Sequence, residues 1–405
     1  MRPLRILWVK VGGLWPPNTG GRLRSLHMIA ELSRRHQVTL ITTRHPADEP
    51  TGLEARLPAC ERIDAVPYTL PKQGTARFAL AVARSWVSPY PADLWRWRIP
   101  AVRARIRERL KEGVDLCVAD FLVAIPNLPR RTTTPVILFE HNVEYMIWKR
   151  LHEVEKRPGR RALLGQEWRK MRYYEAKACA RAGLTVAVSE ADRALLAANA
   201  PGADIRAIGT GVDTEYFHPN GAVEAPASLV FTGSMDWYPN EDAIMYFIAA
   251  ILPDLRRQVP GLSVTVVGRD PAERLRAACA AAGVHVTGTV ADVRPHVAEA
   301  AVYVVPLRIG GGTRLKIFEA LAMGKAVVST QVGAEGLPIV PGQHFLQADS
   351  PADFAQAVVT LLKDPDRRRA LGLAGRRLVE ERYSWTQVTR QFEGHCEEVV
   401  ARHAR

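Results

Sequence analysis

Short apolar runs alternate with longer segments of helical period along most of the chain. Runs such as "LRILWVK", "PVILFE" and "VYVVPL" are apolar at successive positions and do not alternate between apolar and polar residues. Strands that helices cover on both faces of a parallel sheet have this pattern. Segments such as "RLRSLHMIAELSRR" place their apolar residues on one side of a helix. The pattern predicts an α/β protein with mostly parallel sheets.

A strand–glycine–helix arrangement occurs twice, which predicts two Rossmann-like domains. It lies near the start of the chain and again at "LVFTGSMDWYPNEDAIMYF". The polar segment 218–228 between them is rich in Pro, Gly and Ala and reads as a linker. We therefore predict a first domain over 1–217 and a second over 229–384. A final helix, 385–405, is expected to pack back on the first domain.

Composition narrows the class of protein. A net charge of +13 over 405 residues indicates an anionic partner, such as nucleic acid, a membrane surface or a phosphorylated small molecule. No nucleic-acid-reading motif is present, so nucleic acid is not expected. The five cysteines are scattered without a C-x-x-C pair, which indicates reduced thiols and no metal site. No apolar run reaches the roughly 20 residues that span a bilayer, and none resembles a signal peptide, so a cytoplasmic protein is expected.

The segment 84–111 is unusually rich in Arg and Trp. One interpretation is a loop followed by a surface helix that packs through Val102, Ile106 and Leu110 while its arginines are solvated. The other is a patch that meets an anionic membrane or the acceptor, with Trp at the interface and Arg near lipid phosphates. The second interpretation would place the protein peripherally on the inner face of the membrane.

The stretch "RIGGGTRLKIFEA" follows an apolar strand and leads into a helix. Its glycines let an anion approach the backbone, and the helix N-terminus adds unpaired N–H groups. Arg308, Arg314 and Lys316 add positive charge. Lys316 and Glu319 are three residues apart, so a cation for phosphate and a carboxylate for a ribose diol share one helix face. The alternative is that these two residues only pair with each other at a tight turn.

Candidate residues also follow strands of the first domain. Gly20 and Gly21 stand between a strand and a helix, and "FEHNVEY" places Glu140 and His141 at the carboxyl end of another strand. A histidine at a strand tip with polar neighbours is a candidate functional residue, although a lone histidine is more often structural. The chain contains neither a G-x-x-x-x-G-K-[ST] loop nor a G-x-G-x-x-G fingerprint.

The stretches "IGTGVDTEYFHP", "LVFTGSMDWYPNEDAIMYF" and "VYVVPLRIGGGTRLKIFEALAMGKAVVST" resemble the family 4 glycosyltransferases of the GT-B fold. A narrower resemblance is to bacterial sugar transferases associated with exopolysaccharide and protein-sorting systems. The resemblance implies an N-terminal acceptor domain and a C-terminal donor domain facing across a cleft. It also implies a UDP- or GDP-sugar donor, a lipid-linked or saccharide acceptor, retention of anomeric configuration, and no cofactor or metal.

The family signature is two glutamates separated by seven residues. Glu319 matches the second, which binds the donor ribose in the family, whereas the first falls at Gly311. The family's Arg–Lys pair after the first strand of the second domain is also absent, and Arg314 and Lys316 are the expected substitutes. The resemblance assigns catalytic roles to His141, Arg314 and Lys316. It assigns donor binding to Gly20, Gly21, Gly233, Ser234, Thr289, Val290, Gly311, Gly312, Thr313, Leu315 and Glu319.

Two other functions fit the same residues. A nucleotide-sugar epimerase uses the same fold and would also hold a nucleoside diphosphate. A sugar-nucleotide-binding protein without catalytic activity would account for the glutamate that is missing at Gly311. Both remain alternatives to glycosyl transfer at this point.

Overall fold

A computed structural model describes the chain except residues 1, 18, 47–50, 72–73, 310–314 and 405. The chain divides into two compact units, residues 1–209 together with 388–405, and residues 210–387. Each unit is built around one parallel sheet. The predicted α/β class with two parallel-sheet domains is therefore confirmed.

The first unit contains a seven-stranded sheet with the strand order β3-β2-β1-β4-β5-β6-β7. Its strands are β1 (Arg5–Lys10), β2 (Gln37–Arg44), β3 (Arg62–Pro67), β4 (Leu116–Asp120), β5 (Val136–Phe139), β6 (Leu184–Ala187) and β7 (Ile205–Ala207). Its helices are α1 (Gly20–Ser33), α2 (Thr51–Glu54), α3 (Ala76–Trp86), α4 (Ala92–Arg96), α5 (Pro100–Lys111), α6 (Glu144–Val154), α7 (Pro158–Arg181) and α8 (Glu190–Asn199), with a 3₁₀ turn at Leu122–Asn127. The chain leaves β1 in one direction and later returns to its other side with β4, so β1 and β4 form the switch point where open α/β sheets bind ligands.

The second unit contains a six-stranded sheet with the order β10-β9-β8-β11-β12-β13. Its strands are β8 (Ala225–Thr232), β9 (Ser263–Val267), β10 (His285–Val286), β11 (Ala300–Val305), β12 (Ala326–Ser329) and β13 (Leu346–Gln347). Its helices are α9 (Tyr238–Tyr246), α10 (Leu252–Gln258), α11 (Glu273–Ala281), α12 (Arg294–Glu299), α13 (Leu315–Ala322), α14 (Gln331–Ala334), α15 (Pro351–Lys363) and α16 (Pro365–Leu378), with π-helical turns at Phe247–Ile251 and Val379–Tyr383. Here the switch point lies between β8 and β11.

The predicted linker, 218–228, overlaps a strand. Its last residues, from Ala225 onwards, already belong to β8, and Ser228 lies beside Ser263 of β9. The Ser228 hydroxyl also accepts a hydrogen bond from the Ala301 backbone N–H at 2.9 Å. Small residues predicted to be linker therefore form the start of β8, a central strand of the sheet.

The last helix, α17 (Trp385–His403), packs on the first unit from Val388 onwards. Phe392 is fully buried, and its ring lies 5.8 Å from that of Trp8 and 5.2 Å from that of Phe139. Near the end of the helix, Glu398 accepts a hydrogen bond from Arg206 at 2.6 Å. The helix thereby covers one face of the first sheet.

The Arg- and Trp-rich segment 84–111 does not form one continuous surface. Val102 and Ile106 of α5 are buried, as the first interpretation of this segment requires. Arg109 is also buried and pairs with Asp64 at 2.8 Å. Trp86 is exposed, whereas Trp95 and Trp97 are partly buried. In the part of the chain that the structure describes, no helix is both long and apolar enough to span a membrane.

We expect Phe392→Ala to lower the free energy of unfolding of the first unit by about 3 to 5 kcal/mol, because it leaves a cavity between two aromatic rings. Urea unfolding followed by tryptophan fluorescence measures this change, since Trp8 reports on the site. Arg390→Ala, an exposed position on the same helix, is the control. Equal effects of the two substitutions would contradict the packing described here.

Candidate active site

A buried carboxylate lies at the switch point of the first sheet. Asp120 ends β4 directly beside Lys10, which ends β1. It accepts hydrogen bonds from Trp8 Nε1 at 2.8 Å and Lys10 Nζ at 3.3 Å, and His141 Nε2 lies 2.8 Å away. Burial alone would raise the pKa of Asp120, but Lys10 and His141 hold it well below its ordinary value. Asp120 is therefore ionised over the physiological pH range.

The ionised carboxylate sets the state of His141. Burial lowers the pKa of His141 to about 3, so the ring is neutral near pH 7. Because Nε2 faces a carboxylate, which only accepts hydrogen bonds, Nε2 carries the proton and Nδ1 is left as an acceptor. His141 stacks on Phe121, with ring centroids 3.8 Å apart and an angle of 10° between the planes. The side chain is thus held with its acceptor nitrogen away from Asp120.

Gly21 lies against this pair of rings. A Cβ atom at Gly21 would come within 2.5 Å of Phe121 Cζ and 3.5 Å of His141 Nδ1. Phe121 itself has a φ of 69°, which is uncommon outside glycine and marks a backbone that its surroundings hold in place. The structure therefore brings together Gly21 and His141, which the sequence placed in one site. Gly20 is exposed at the first position of α1.

Lys10 and Asp120 were missed by the sequence analysis. Lys10 Nζ lies 3.5 Å from the centroid of the Phe121 ring, and burial lowers its pKa to about 8. Each residue is the charged last position of an apolar strand, "RILWVK" or "LCVAD", and that was the available signal. Arg22 and Arg24, which follow Gly20 and Gly21, donate hydrogen bonds to backbone carbonyl groups. Arg22 donates to the Gly12 carbonyl at 2.9 Å and Arg24 to the Glu140 carbonyl at 3.1 Å.

Acidic residues surround the strand end that carries His141. Glu140 is buried, and neither of its carboxylate oxygens has a hydrogen-bond partner among the described residues. Burial and the nearby Glu175 and Glu144 raise the pKa of Glu140 well above its usual range, while the Leu122 backbone acts in the opposite direction. Glu175 caps α6 by accepting the Glu144 N–H at 2.7 Å. Burial and the neighbouring carboxylates thus disfavour the charged form of Glu140.

In the second unit, two glycines allow close packing at the carboxyl end of β8. Gly233 follows β8, and a Cβ there would lie 2.6 Å from Asn240 Nδ2 and 2.8 Å from Lys316 Nζ. Lys316 donates to Asn240 Oδ1 at 2.8 Å, and its Nζ lies 4.1 Å from the centroid of the Phe231 ring. A Cβ at Gly268 would overlap the Gly233 carbonyl. The glycines therefore let Lys316 lie directly against the backbone at the switch point.

Glu319 stands one helical turn after Lys316. Although part of the residue is accessible to solvent, its carboxyl group is enclosed. Burial raises the pKa of Glu319 to about 7, against the opposing attraction of Lys316. A carboxyl group of this kind can accept hydrogen bonds from hydroxyl groups and changes its charge near neutral pH.

The remaining predicted positions are distributed as follows. Arg308 donates to Asp242 at 2.6 Å, so this guanidinium already has a carboxylate partner. Ser234 accepts a hydrogen bond from Arg269 Nε at 2.7 Å. The other positions of the second unit are an exposed Thr289, a partly buried Val290 and a partly buried Leu315 at the start of α13. Gly311, Gly312, Thr313 and Arg314 lie outside the described residues. Within the described ranges, no three His, Cys, Asp or Glu residues are grouped closely enough to hold a metal ion.

Both halves of the chain match glycosyltransferase families. Residues 20–216 match the family described as "Glycosyltransferase Family 4", and residues 226–364 match "Glycosyl transferases group 1". Together with two parallel-sheet domains, these matches show that the chain belongs to the family 4 glycosyltransferases of the GT-B fold. The epimerase and the non-catalytic binder are not favoured.

Two mycobacterial mannosyltransferases are similar to part of this chain. A GDP-mannose-dependent alpha-(1-6)-phosphatidylinositol monomannoside mannosyltransferase of Mycobacterium tuberculosis is 31% identical over 210 residues, which are 46% of this chain and 54% of the relative. A phosphatidyl-myo-inositol mannosyltransferase of Mycolicibacterium smegmatis is 28% identical over 195 residues, 42% of this chain and 50% of the relative. The chain spans about half the length of the curated relatives it matches.

Solved structures of low sequence identity share the fold over the whole chain. Sucrose-phosphate synthase from Thermosynechococcus elongatus has a TM-score of 0.68 at 17% identity, covering 98% of this chain and 100% of that protein. The Anabaena protein HepE in complex with UDP has a TM-score of 0.64 at 14% identity, covering 98% of this chain and 100% of HepE. At these sequence identities the similarity shows the fold alone.

We expect Glu319 to make stability depend on pH. Its pKa rises from an ordinary 4.5 to about 7 on folding, so the folded state holds this proton more tightly than the unfolded state. The stability that the folded state gains by holding this proton is fully present below the unfolded pKa of 4.5. It is lost as the pH rises through the folded pKa of about 7. Between these limits, the free energy of unfolding should fall by up to about 3 kcal/mol through this residue.

Urea unfolding of the wild type and of Glu319→Gln across that pH range measures the effect. The variant should lose this part of the pH dependence, while Glu335→Gln, an exposed glutamate of the same unit, should keep it. Parallel pH profiles for the wild type and Glu319→Gln would show that the carboxyl group is not enclosed as described.

Proposed function

We propose that the protein transfers a sugar from a nucleoside-diphosphate sugar to a lipid-linked acceptor, with retention of anomeric configuration and without a metal ion. The observation that carries this proposal is Lys316, held by Asn240 against the bare backbone of Gly233 at the switch point of the second sheet. An ammonium group held at the carboxyl end of a parallel strand suits a diphosphate. The mycobacterial relatives make GDP-mannose the first donor to test.

In this proposal the donor is held by residues along the first turns of α13 and just before it. The Lys316 ammonium group binds the diphosphate, and the predicted contributions of residues 311–314 are backbone N–H groups and the Arg314 guanidinium. Glu319, one turn further along α13, accepts hydrogen bonds from the vicinal hydroxyls of the ribose. Thr289 and Val290 follow β10 at the same edge of the sheet, where backbone groups can meet the nucleobase.

The reaction exchanges one bond at the anomeric carbon. The bond from that carbon to the phosphate oxygen breaks, and a bond to the acceptor oxygen forms on the same face of the sugar. The acceptor proton passes to the departing phosphate, so no strong protein base is needed. Negative charge grows on the diphosphate as the bond breaks, and a preorganised cation stabilises that charge more in the transition state than in the ground state.

His141 would then orient a substrate hydroxyl. Its Nδ1 atom is a neutral acceptor on the side of Gly21, where a Cβ atom would come within 3.5 Å of it. Asp120 acts through His141 as a positioning residue, since it keeps the proton on Nε2. Because the imidazole has a pKa of about 3, it is unsuited to be the main proton acceptor near pH 7.

We expect nucleoside diphosphates to raise the melting temperature with a chelator present. A ligand at about 100 times its Kd adds about 2.7 kcal/mol to the free energy of unfolding. Differential scanning fluorimetry with GDP, UDP and ADP would identify the base, and GDP is expected to give the largest shift. Lys316→Ala should weaken binding roughly 10- to 100-fold, because it removes a hydrogen bond from a charged group.

Lys363→Ala, an exposed lysine of the same unit, should bind nucleotide as the wild type does. A larger shift with UDP would change the donor but not the class of reaction. No shift with any nucleoside diphosphate would overturn the metal-free donor site proposed here.

We expect His141→Ala to lower kcat roughly 10- to 100-fold, equivalent to about 1.5 to 3 kcal/mol of transition-state stabilisation. The assay follows radiolabelled sugar from GDP-mannose into material that extracts with the membrane lipids. Nucleotide affinity should be unchanged, because the diphosphate contacts lie in the other unit. The exposed His285 provides the control variant, His285→Ala.

The role of Asp120 is tested by the tautomer of His141. Nitrogen NMR of histidine-labelled protein should show the proton on Nε2 in the wild type and a mixture of tautomers in Asp120→Asn. A proton on Nδ1 in the wild type would contradict the proposed acceptor role. The anomeric configuration of the product, read from its proton NMR couplings, should match that of the donor.

A further inference from the structure

Helices α6 and α7 of the first unit form a hairpin whose end combines exposed apolar residues with basic residues. The two helices pack against each other, and the imidazole Nδ1 of His152 lies 2.8 Å from the Arg161 carbonyl oxygen across the connection. Gly165 permits this approach, since a Cβ there would lie 3.1 Å from His152 Cε1. The structure therefore fixes the hairpin end, residues 147–163, as an ordered element.

The outward side of α6 is apolar. Ile147, Leu151 and Val154 follow the i, i+4, i+7 spacing of one helix face and are 40%, 45% and 72% exposed. The opposite side of the helix supplies the core, where Tyr145 is buried and Trp148 packs against it. Core packing therefore already uses one face of α6, and a second apolar face is presented to solvent. Apolar stripes of this kind, bordered by charge, mark interaction surfaces.

The same hairpin end is strongly basic. Its acidic residues are Glu153 and Glu155, which pair with Lys149 at 3.7 Å and Arg160 at 3.0 Å. Its basic residues outnumber them and are Lys149, Arg150, Lys156, Arg157, Arg160 and Arg161. The apolar face thus ends in a patch of net positive charge, which suits an anionic surface and repels a second copy of itself.

Another exposed apolar group lies beside α7. Lys170 of α7 donates to the Ser85 carbonyl at 2.6 Å, which fixes the end of α3 against α7. Trp86 and Val87 follow directly and are 55% and 90% exposed. By contrast, α5 shows no such stripe: its apolar residues Val102 and Ile106 are buried.

We propose that the hairpin end 147–163 docks on an anionic lipid bilayer. The apolar face of α6 enters the boundary between headgroups and acyl chains, and the basic residues of the hairpin end meet lipid phosphates. This surface differs from the segment 84–111 that composition suggested, because α5 places its apolar residues in the core. Docking is independent of donor chemistry, so its failure and the failure of the proposed transfer reaction can be told apart.

The test is flotation of the full chain, without nucleotide, with vesicles of phosphatidylcholine alone or mixed with phosphatidylglycerol. The protein should bind the mixed vesicles and not the neutral ones, and added salt should weaken binding. Lys156→Ala/Arg157→Ala should weaken binding roughly 30-fold, from about 1 kcal/mol per basic side chain near the surface. Arg107→Ala/Lys111→Ala removes the same two residue types from exposed positions on α5 and should bind as the wild type does.

Leu151→Ser tests the apolar face and should reduce binding to the mixed vesicles while leaving the melting temperature unchanged, because the residue is exposed. Three results would overturn the proposal. They are equal binding to both kinds of vesicle, loss of binding in the α5 variant but not in the hairpin variant, and self-association in solution that Leu151→Ser abolishes. The last result would assign the face to a second copy of the chain.

Discussion

The ionised Asp120 carboxylate, buried between β1 and β4, is the constraint on which the first unit depends. A buried charge is unfavourable unless donors surround it, and here Trp8, Lys10 and His141 supply three. These donors come from β1 and from the end of β5, so one carboxylate ties three neighbouring strand ends together. Because the donors are fixed by the sheet, the orientation and the proton position of His141 follow from the fold itself.

The corresponding edge of the sheet in the second unit is built from glycines and a cation. There the chain has no side chains at Gly233 and Gly268, and Lys316, held by Asn240, lies against Gly233. The first unit presents a fixed neutral acceptor, whereas the second presents backbone and positive charge. That difference agrees with a division of work in which one unit orients hydroxyl groups and the other holds a diphosphate.

The sequence predicted the two-sheet architecture and named Gly21 and His141 as candidates, because apolar runs and strand tips are local signals. It could not show Asp120, Lys10 or Asn240 as members of these sites, since parallel strands join residues that are far apart in the chain. Arg308 has a partner that the sequence could not reveal, because its guanidinium donates to Asp242 of α9, 66 residues earlier in the chain. Local pattern therefore located the edges of the sheets, and only the topology showed which charges are already paired there.

The replacement of the family's first glutamate by Gly311 gives more weight to Glu319. In the proposed complex, ribose hydroxyls donate to this carboxyl group, and such bonds stabilise its ionised form. Since burial holds its pKa near 7, donor binding would then be accompanied by proton release close to neutral pH. The same enclosure that makes the free carboxylate unfavourable would make its hydrogen bonds to the ribose stronger, because few water molecules compete for it. A single enclosed acid can in this way contribute to the selectivity for a nucleotide.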